Sequence, residues 1–174
     1  MTQSSGGALV DFGNVIIAHW LTNITPENFD TIDYDSIPEV PDAFESLRLM
    51  NEYYEGNLLV IYNATNVAEE KIRKWLLYHE FVTRTKIPLT RIVRSKTGRN
   101  KAGYIQSSCN VGYQINVVVD DRLEVLNHFI GKVPSLFLFR PQTEEIKMFN
   151  YADTLSCVRV VWTWGEIIES LRIL

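Results

Sequence analysis

After a polar start the chain runs into Ala8-Leu9-Val10-Asp11-Phe12, an apolar stretch carrying one acid and followed by Gly13 and Asn14. An apolar run of that length closed by turn formers predicts a buried strand with Asp11 at its carboxyl end. The pattern then returns with variations. From Pro41, the positions Ala43, Leu47, Met50 and Tyr54 recur at helical spacing up to Gly56-Asn57, predicting a helix that stops before the apolar strand Leu58 to Tyr62. Asn66 followed by Glu69 resembles a capping box, and Ala68, Ile72, Trp75, Leu76 and His79 mark one face of a second helix.

Further on, a short strand over Arg91 to Val93 and a helix over Asn100 to Ser108 lead into the strand Ile115 to Val119, which ends on Asp120-Asp121. A helix with Leu123, Leu126 and Ile130 stops at Gly131, and a strand Ser135 to Phe139, a loop near Pro141, a strand Val158 to Trp162 and a helix from Gly165 complete the chain. Short apolar runs alternating with helices predict a three-layer α/β/α, Rossmann-like fold. Its central sheet is mostly parallel, with right-handed crossovers. Residues 17 to 41 break this rhythm. With Pro26, Pro38 and Pro41 among scattered acids and aromatics, they read as an irregular excursion able to lie over Asp11, and not as a second domain.

Length changes the picture only by limiting it: 174 residues suffice for one large core and not for two ordinary domains. A single domain over residues 1 to 174 is expected. No run approaches the ~18 apolar residues of a membrane span, and the amino terminus lacks a secretory pattern, so a soluble, cytoplasmic protein without a membrane partner is expected. Cys109 and Cys157 have neither a second cysteine nor a histidine at metal-ligand spacing and read as reduced core thiols. Trp75, Trp162 and Trp164 read as packing residues, and His128 as a helix-surface residue. Trp20 either anchors the excursion to its own core or offers a ring for a nucleobase.

The net charge of −4 conceals an asymmetry. No Lys or Arg precedes Arg48, whereas Arg84, Lys86, Arg91, Arg94, Lys96, Arg99 and Lys101 follow one another with no intervening acid. Such a run either draws in an anionic ligand or solvates a face.

The candidate chemistry lies where strands end: Asp11, then Asn63-Ala64-Thr65-Asn66, then Asp120-Asp121, with the lysine-rich segment before the last. Ligands of parallel α/β sheets bind at the carboxyl ends of the strands. Carboxylates gathered there repel one another unless a cation sits between them, and hard magnesium with its oxygen ligands suits such a cluster. The same cluster lets one carboxylate attack phosphorus while a lysine stabilises the added charge.

In this order the residues resemble the signatures of the haloacid dehalogenase superfamily, over about residues 8 to 140. Asp11-Phe12-Gly13-Asn14-Val15 is similar to a DxGNV form of the first signature, DxDx(T/V), which implies Asp11 as nucleophile and magnesium ligand. The second signature, a Ser or Thr after a strand, is replaced by Asn63, with Ala64 between it and Thr65; this segment would bind the phosphoryl group. Lys101 fits the family lysine, with Lys96 and Arg94 as rivals, and Val117-Val118-Val119-Asp120-Asp121 resembles the last signature, implying metal ligands at Asp120 and Asp121. The resemblance implies a magnesium-dependent phosphatase without a large cap domain. Capless relatives act on bulky phosphorylated partners, nucleotides or sugar phosphates, and the basic run points to a nucleotide or a nucleic-acid end.

One departure stands out. Gly13 occupies the place of the aspartate that protonates the leaving group and activates water, although its carbonyl can still bind magnesium. General acid–base help amounts to roughly 10²–10⁴-fold, so its absence predicts slow hydrolysis, a substrate with a good leaving group, or a substitute from the excursion, where His19, Asp30, Asp33 and Asp35 either serve or merely solvate a loop. Phosphonate-cleaving and dehalogenating relatives also lack the aspartate, but they depend on a helical cap that residues 17 to 41 are too short to form. Two other readings stay open: a catalytically degenerate binding or regulatory module, and a metal-dependent ribonuclease of the PIN or NYN type, for which Asp11 and Asn14 would serve.

Overall fold

The computed structural model describes residues 6–22, 28, 31–96, 98–108, 112–148 and 152–173. Six strands make one sheet among them: β1 (Gly7–Asp11), β2 (Leu58–Tyr62), β3 (Ile92–Arg94), β4 (Ile115–Asp120), β5 (Ser135–Phe139) and β6 (Arg159–Val161), in the order β3-β2-β1-β4-β5-β6. Every adjacent pair is parallel, so the sheet is wholly and not just mostly parallel. Chain order reverses on the two sides of β1, and the crevice for a ligand opens at the carboxyl ends of β1 and β4.

Alternation along each strand explains why both faces are covered. Ala8 and Val10, Val60 and Tyr62, Val117 and Val119, and Phe137 and Phe139 point to one core, where they meet α1 (Ala43–Tyr53), α2 (Asn66–Tyr78) and α8 (Trp164–Leu171). Leu9, Ile61, Val118, Leu136 and Leu138 point to the other, under α4 (Lys101–Ser108) and α5 (Leu123–Asn127). With apolar side chains needed on both faces, the strands read as continuous apolar runs. The edge strands β3 and β6 are three residues each, and short edges limit pairing with other chains.

Several sequence expectations need correction. The cap of α2 is Thr65, whose hydroxyl accepts from Ala68 N at 3.2 Å; Asn66 instead accepts from Arg94 at 2.6 Å. Three short helices were not foreseen: α3 (Phe81–Thr85), α6 (Thr143–Met148) and α7 (Ala152–Cys157). At five or six residues they are too short to display a 3.6-residue stripe. The helix expected to reach Gly131 ends as α5 at Asn127 and continues as turns. Trp162 is 52% exposed and is no core residue. Cys157 is exposed too, because it closes α7 at the surface, while Cys109 lies outside the described residues.

The excursion contains, among the described residues, only 3₁₀ turns at His19–Leu21 and Tyr34–Ser36. Its described ends are nonetheless strapped down. Ile17 bridges both Gly13 and Glu39, and Val40 N donates to Ile16 O at 2.7 Å. Trp75 Nε1 donates to Ile37 O at 2.8 Å and Trp164 Nε1 to Val15 O at 2.9 Å. Trp20 packs partly buried against the core, with Arg140 stacked 4.5 Å from its ring centre, so the ring anchors the excursion. Because Trp164 is fully buried and also holds the segment after Asp11, Trp164→Ala is expected to cost about 3–5 kcal/mol of stability. Urea unfolding would check this, and a cost below about 1 kcal/mol would contradict the packing described.

Candidate active site

Asp11 is the last residue of β1 and Asp120 the last of β4, with Asp121 directly after it. Side-by-side parallel strands thus bring together acids far apart in sequence, and carboxylate oxygens of all three lie within 4.8 Å of one another. Lys101, the first residue of α4, is 4% exposed. Its ammonium group bonds Asp11 and, at 2.7 Å, Asp120. Arg122 N donates to Asp120 Oδ1 at 3.0 Å, and Asn14 Nδ2 to Asp121 Oδ2 at 3.0 Å. Asn14 has a φ of 58°, a left-handed conformation that asparagine tolerates better than most residues.

The electrostatics follow from burial and from the count of charges. Lys101 bonds two of the three buried carboxylates, Asp11 and Asp120, and the charge of Arg122 acts on Asp121 without an ion pair. Burial raises the Asp11 carboxyl to about 6, with Lys101 opposing and Asp121 adding to the rise. Burial likewise raises Asp120 and Asp121 to about 6 each. Burial alone would lower Lys101, but Asp11 and Asp120 hold it above the ordinary lysine value, firmly charged. The cluster is thus short of positive charge when all its acids ionise, and another cation would relieve it. The buried Asn14 Oδ1, which has no hydrogen-bond partner among the described residues, adds an oxygen acceptor at the same place. An all-oxygen donor set with surplus negative charge fits a hard divalent cation such as magnesium.

These groups line a cleft of about 290 Å³, near the lower end of small-ligand pockets. Asn63 and Ala64 line it as well. Thr65 is exposed, stands outside the lining and serves as the cap of α2. Of the possible substitute acids, His19 lines the cleft, whereas Asp33 and Asp35 are exposed and do not. Asp30 lies outside the described residues. Burial pushes His19 down to about 4, so it is neutral at pH 7. His79 closes α2, stacked on Trp75, and His128 is half-buried at the end of α5.

Much of the basic run is consumed internally. Arg84 forms an ion pair with Glu39, Arg94 with Glu69 and Arg99 with Glu124, while Arg91 stacks on Tyr113. Lys101 and Arg99 reach the cleft, joined there by Arg122. Sequence reasoning had not singled out Arg122 or Tyr34 for the cleft. Tyr34 carries no local signal, being placed there by the path of the excursion, whereas Arg122 follows directly on the acid pair and could have been suspected.

No family model and no curated protein sequence matches the chain. Solved structures do. A haloacid dehalogenase-like hydrolase from Burkholderia xenovorans LB400 aligns with 93% of this chain and 94% of its own at 14% identity and a TM-score of 0.59. The D,D-heptose 1,7-bisphosphate phosphatase from B. bronchiseptica, complexed with magnesium and phosphate, aligns over 96% of this chain and 98% of its own at 10% identity and a TM-score of 0.59. A HAD family hydrolase from Deinococcus radiodurans R1, with bound phosphate and sodium, covers 97% and is covered over 96%, at 12% identity and a TM-score of 0.60. At such identities the likeness establishes the fold. The chain has the α/β fold of haloacid dehalogenase-like hydrolases and phosphatases, with no cap domain among the described residues, and carries a buried three-aspartate cluster able to hold a metal ion.

Proposed function

We propose that the protein is a magnesium-dependent phosphohydrolase that works through an aspartyl-phosphate on Asp11, with a nucleotide or a nucleic-acid-end phosphate as substrate. The observation that carries this reading is the buried set Asp11, Asp120 and Asp121 around Lys101 at the carboxyl ends of two adjacent parallel strands. Asp11, Asp120, Asp121 and the Gly13 carbonyl would hold the metal. When bound, magnesium supplies positive charge against the carboxylates and the phosphoryl oxygens.

The chain's own groups divide the remaining work. An Asp11 oxygen attacks phosphorus, and the bond from phosphorus to the leaving oxygen breaks. Lys101 holds the Asp11 carboxylate in place and offers its charge to the phosphoryl oxygens as their negative charge develops. Asn63 and the backbone of Ala64, between the end of β2 and the start of α2, supply hydrogen bonds to the same oxygens, while Thr65, the third candidate of that segment, caps α2 instead. Arg122 on the cleft wall suits a substrate with more than one phosphate, whereas Arg99 beside it is already paired with Glu124.

The test is release of inorganic phosphate, in magnesium and in EDTA, from nucleotides, sugar phosphates and end-phosphorylated oligonucleotides. The expected result is magnesium-dependent release that favours nucleotides or oligonucleotide ends over sugar phosphates. No release from any substrate would overturn the phosphatase reading in favour of a binding module, and cleavage of internal phosphodiesters would overturn it in favour of a ribonuclease.

A further inference from the structure

The cleft contains a titratable pair that the scheme above leaves unused. A Cβ built on Gly13 would lie 3.6 Å from both Nδ1 and Cε1 of His19, and 3.9 Å from Asp11 Oδ2. The imidazole edge therefore borders the space into which a side chain at position 13 would project, beside the Asp11 carboxylate. On the other side of the ring, His19 Nε2 lies 3.1 Å from the hydroxyl of Tyr34, a buried side chain that packs edge-on against the imidazole with ring centres 5.7 Å apart.

The backbone around the pair is fixed. His19 N donates to Ile17 O at 3.1 Å, Ala18 N to Pro38 O at 2.9 Å and Ile37 N to Tyr34 O at 3.0 Å, so each of the two residues adjoins tied backbone. A neutral imidazole has one N–H and one lone pair. In the tautomer that donates Nε2–H to the Tyr34 oxygen, the lone pair sits on Nδ1, at the ring edge that borders the space beside Gly13 and Asp11. Tyr34 can accept from Nε2 both before and after Nδ1 gains a proton, which fixes the ring orientation through a proton transfer.

We propose that His19, oriented by Tyr34, is the general base that activates water for hydrolysis of the aspartyl-phosphate, in the space that Gly13 leaves vacant. This rests on the phosphohydrolase reading and deepens it. In the step, the water oxygen forms a bond to phosphorus and the bond between phosphorus and the Asp11 oxygen breaks. Asp11 departs as a carboxylate with the electron pair, and the water proton passes to His19 Nδ1, from which solvent removes it. Departure of the first leaving group receives no such help, so among the substrates named above the phosphoanhydrides of nucleoside di- and triphosphates are favoured over the alkyl phosphate of a nucleic-acid end, and aryl or acyl phosphates are turned over as well.

Pre-steady-state kinetics with p-nitrophenyl phosphate and magnesium test this, because nitrophenolate is released when Asp11 is phosphorylated and turnover then awaits hydrolysis. In His19→Ala and in His19→Gln, which keeps most of the side-chain volume, the steady-state rate is expected to fall by roughly 10²–10³-fold, within the usual range for general-base catalysis. A stoichiometric nitrophenolate burst is expected to persist. The double variant His19→Ala, Gly13→Asp is expected to regain at least about tenfold of the loss, since its carboxylate enters the vacated space. An unchanged steady-state rate in both single variants would overturn the role of His19, as would loss of burst and turnover together, and either result would leave the phosphatase standing. Absence of nitrophenolate release by the wild type would instead overturn the phosphatase reading and this role with it.

Discussion

Asp11→Asn is expected to eliminate magnesium-dependent phosphate release, a loss of about 10⁴-fold or more, while making the metal-free protein more resistant to heat. The first half follows from losing the attacking oxygen, since removal of a covalent nucleophile leaves only binding and electrostatic assistance. The second half follows from charge. Asp11 is one of three buried carboxylates gathered within 4.8 Å, two of which bond the Lys101 ammonium, and its replacement by a neutral isostere removes repulsion while Lys101 keeps Asp120 as its partner. Function and stability are set against each other at this position. Phosphate assays paired with thermal melts in EDTA would check both halves; residual release above a hundredth of the wild-type rate would rule out Asp11 as nucleophile.

The same charge excess predicts an unusual dependence on pH. Asp11, Asp120 and Asp121 each titrate near 6 in the folded protein, against 3.8 for an unperturbed aspartate. Between those values the folded chain holds protons that the unfolded chain has lost, so stability falls as pH rises. His19 acts in the opposite sense over nearly the same window: its folded form titrates near 4 and its ordinary value is 6.5, which makes stability rise with pH. Three carboxyls outweigh one histidine, and Lys101, charged throughout, adds no slope. Each pH unit crossed by one such group is worth roughly 1.4 kcal/mol. In EDTA the melting temperature is therefore expected to be lower at pH 7.5 than at pH 5. Magnesium should raise it at pH 7.5 by far more than at pH 5, because a cation binds the ionised cluster and not the protonated one. A metal-free protein that melts higher at pH 7.5, or a melting temperature indifferent to magnesium at that pH, would refute this account of the cluster.

How far the sequence anticipates all this depends on the range of the interactions. The strands Leu58 to Tyr62 and Ser135 to Phe139 are legible to the residue, because burial on both faces imposes an unbroken apolar run between turn formers. Asp11 and Asp120 are legible as strand-end acids. That they meet is a property of sheet order, which sequence periodicity leaves open and which the order of motifs along the chain brought within reach. Less was readable where side chains act across irregular backbone. Nothing in the spacing of His19 and Tyr34 pairs them, since the contact depends on Ile17 and Ala18 meeting Pro38 and Glu39 across the excursion. The basic run was misleading for a related reason. Its charge looked available in sequence, yet Glu39, Glu69 and Glu124, each remote from it along the chain, take up Arg84, Arg94 and Arg99.

The two indole hydrogen bonds that tie down the excursion also make it optically addressable. Trp75 and Trp164 lie in the dry core, and each donates to a carbonyl at one margin of the excursion, Ile37 and Val15. Peeling the segment from the scaffold would break both bonds and admit water to both rings, shifting their emission to longer wavelength without any attached dye. Trp20, partly buried on the segment itself, would shift in the same sense, and Trp162, half exposed, would contribute a background that a collisional quencher removes, leaving a built-in reporter of whether ligand binding leaves the segment seated.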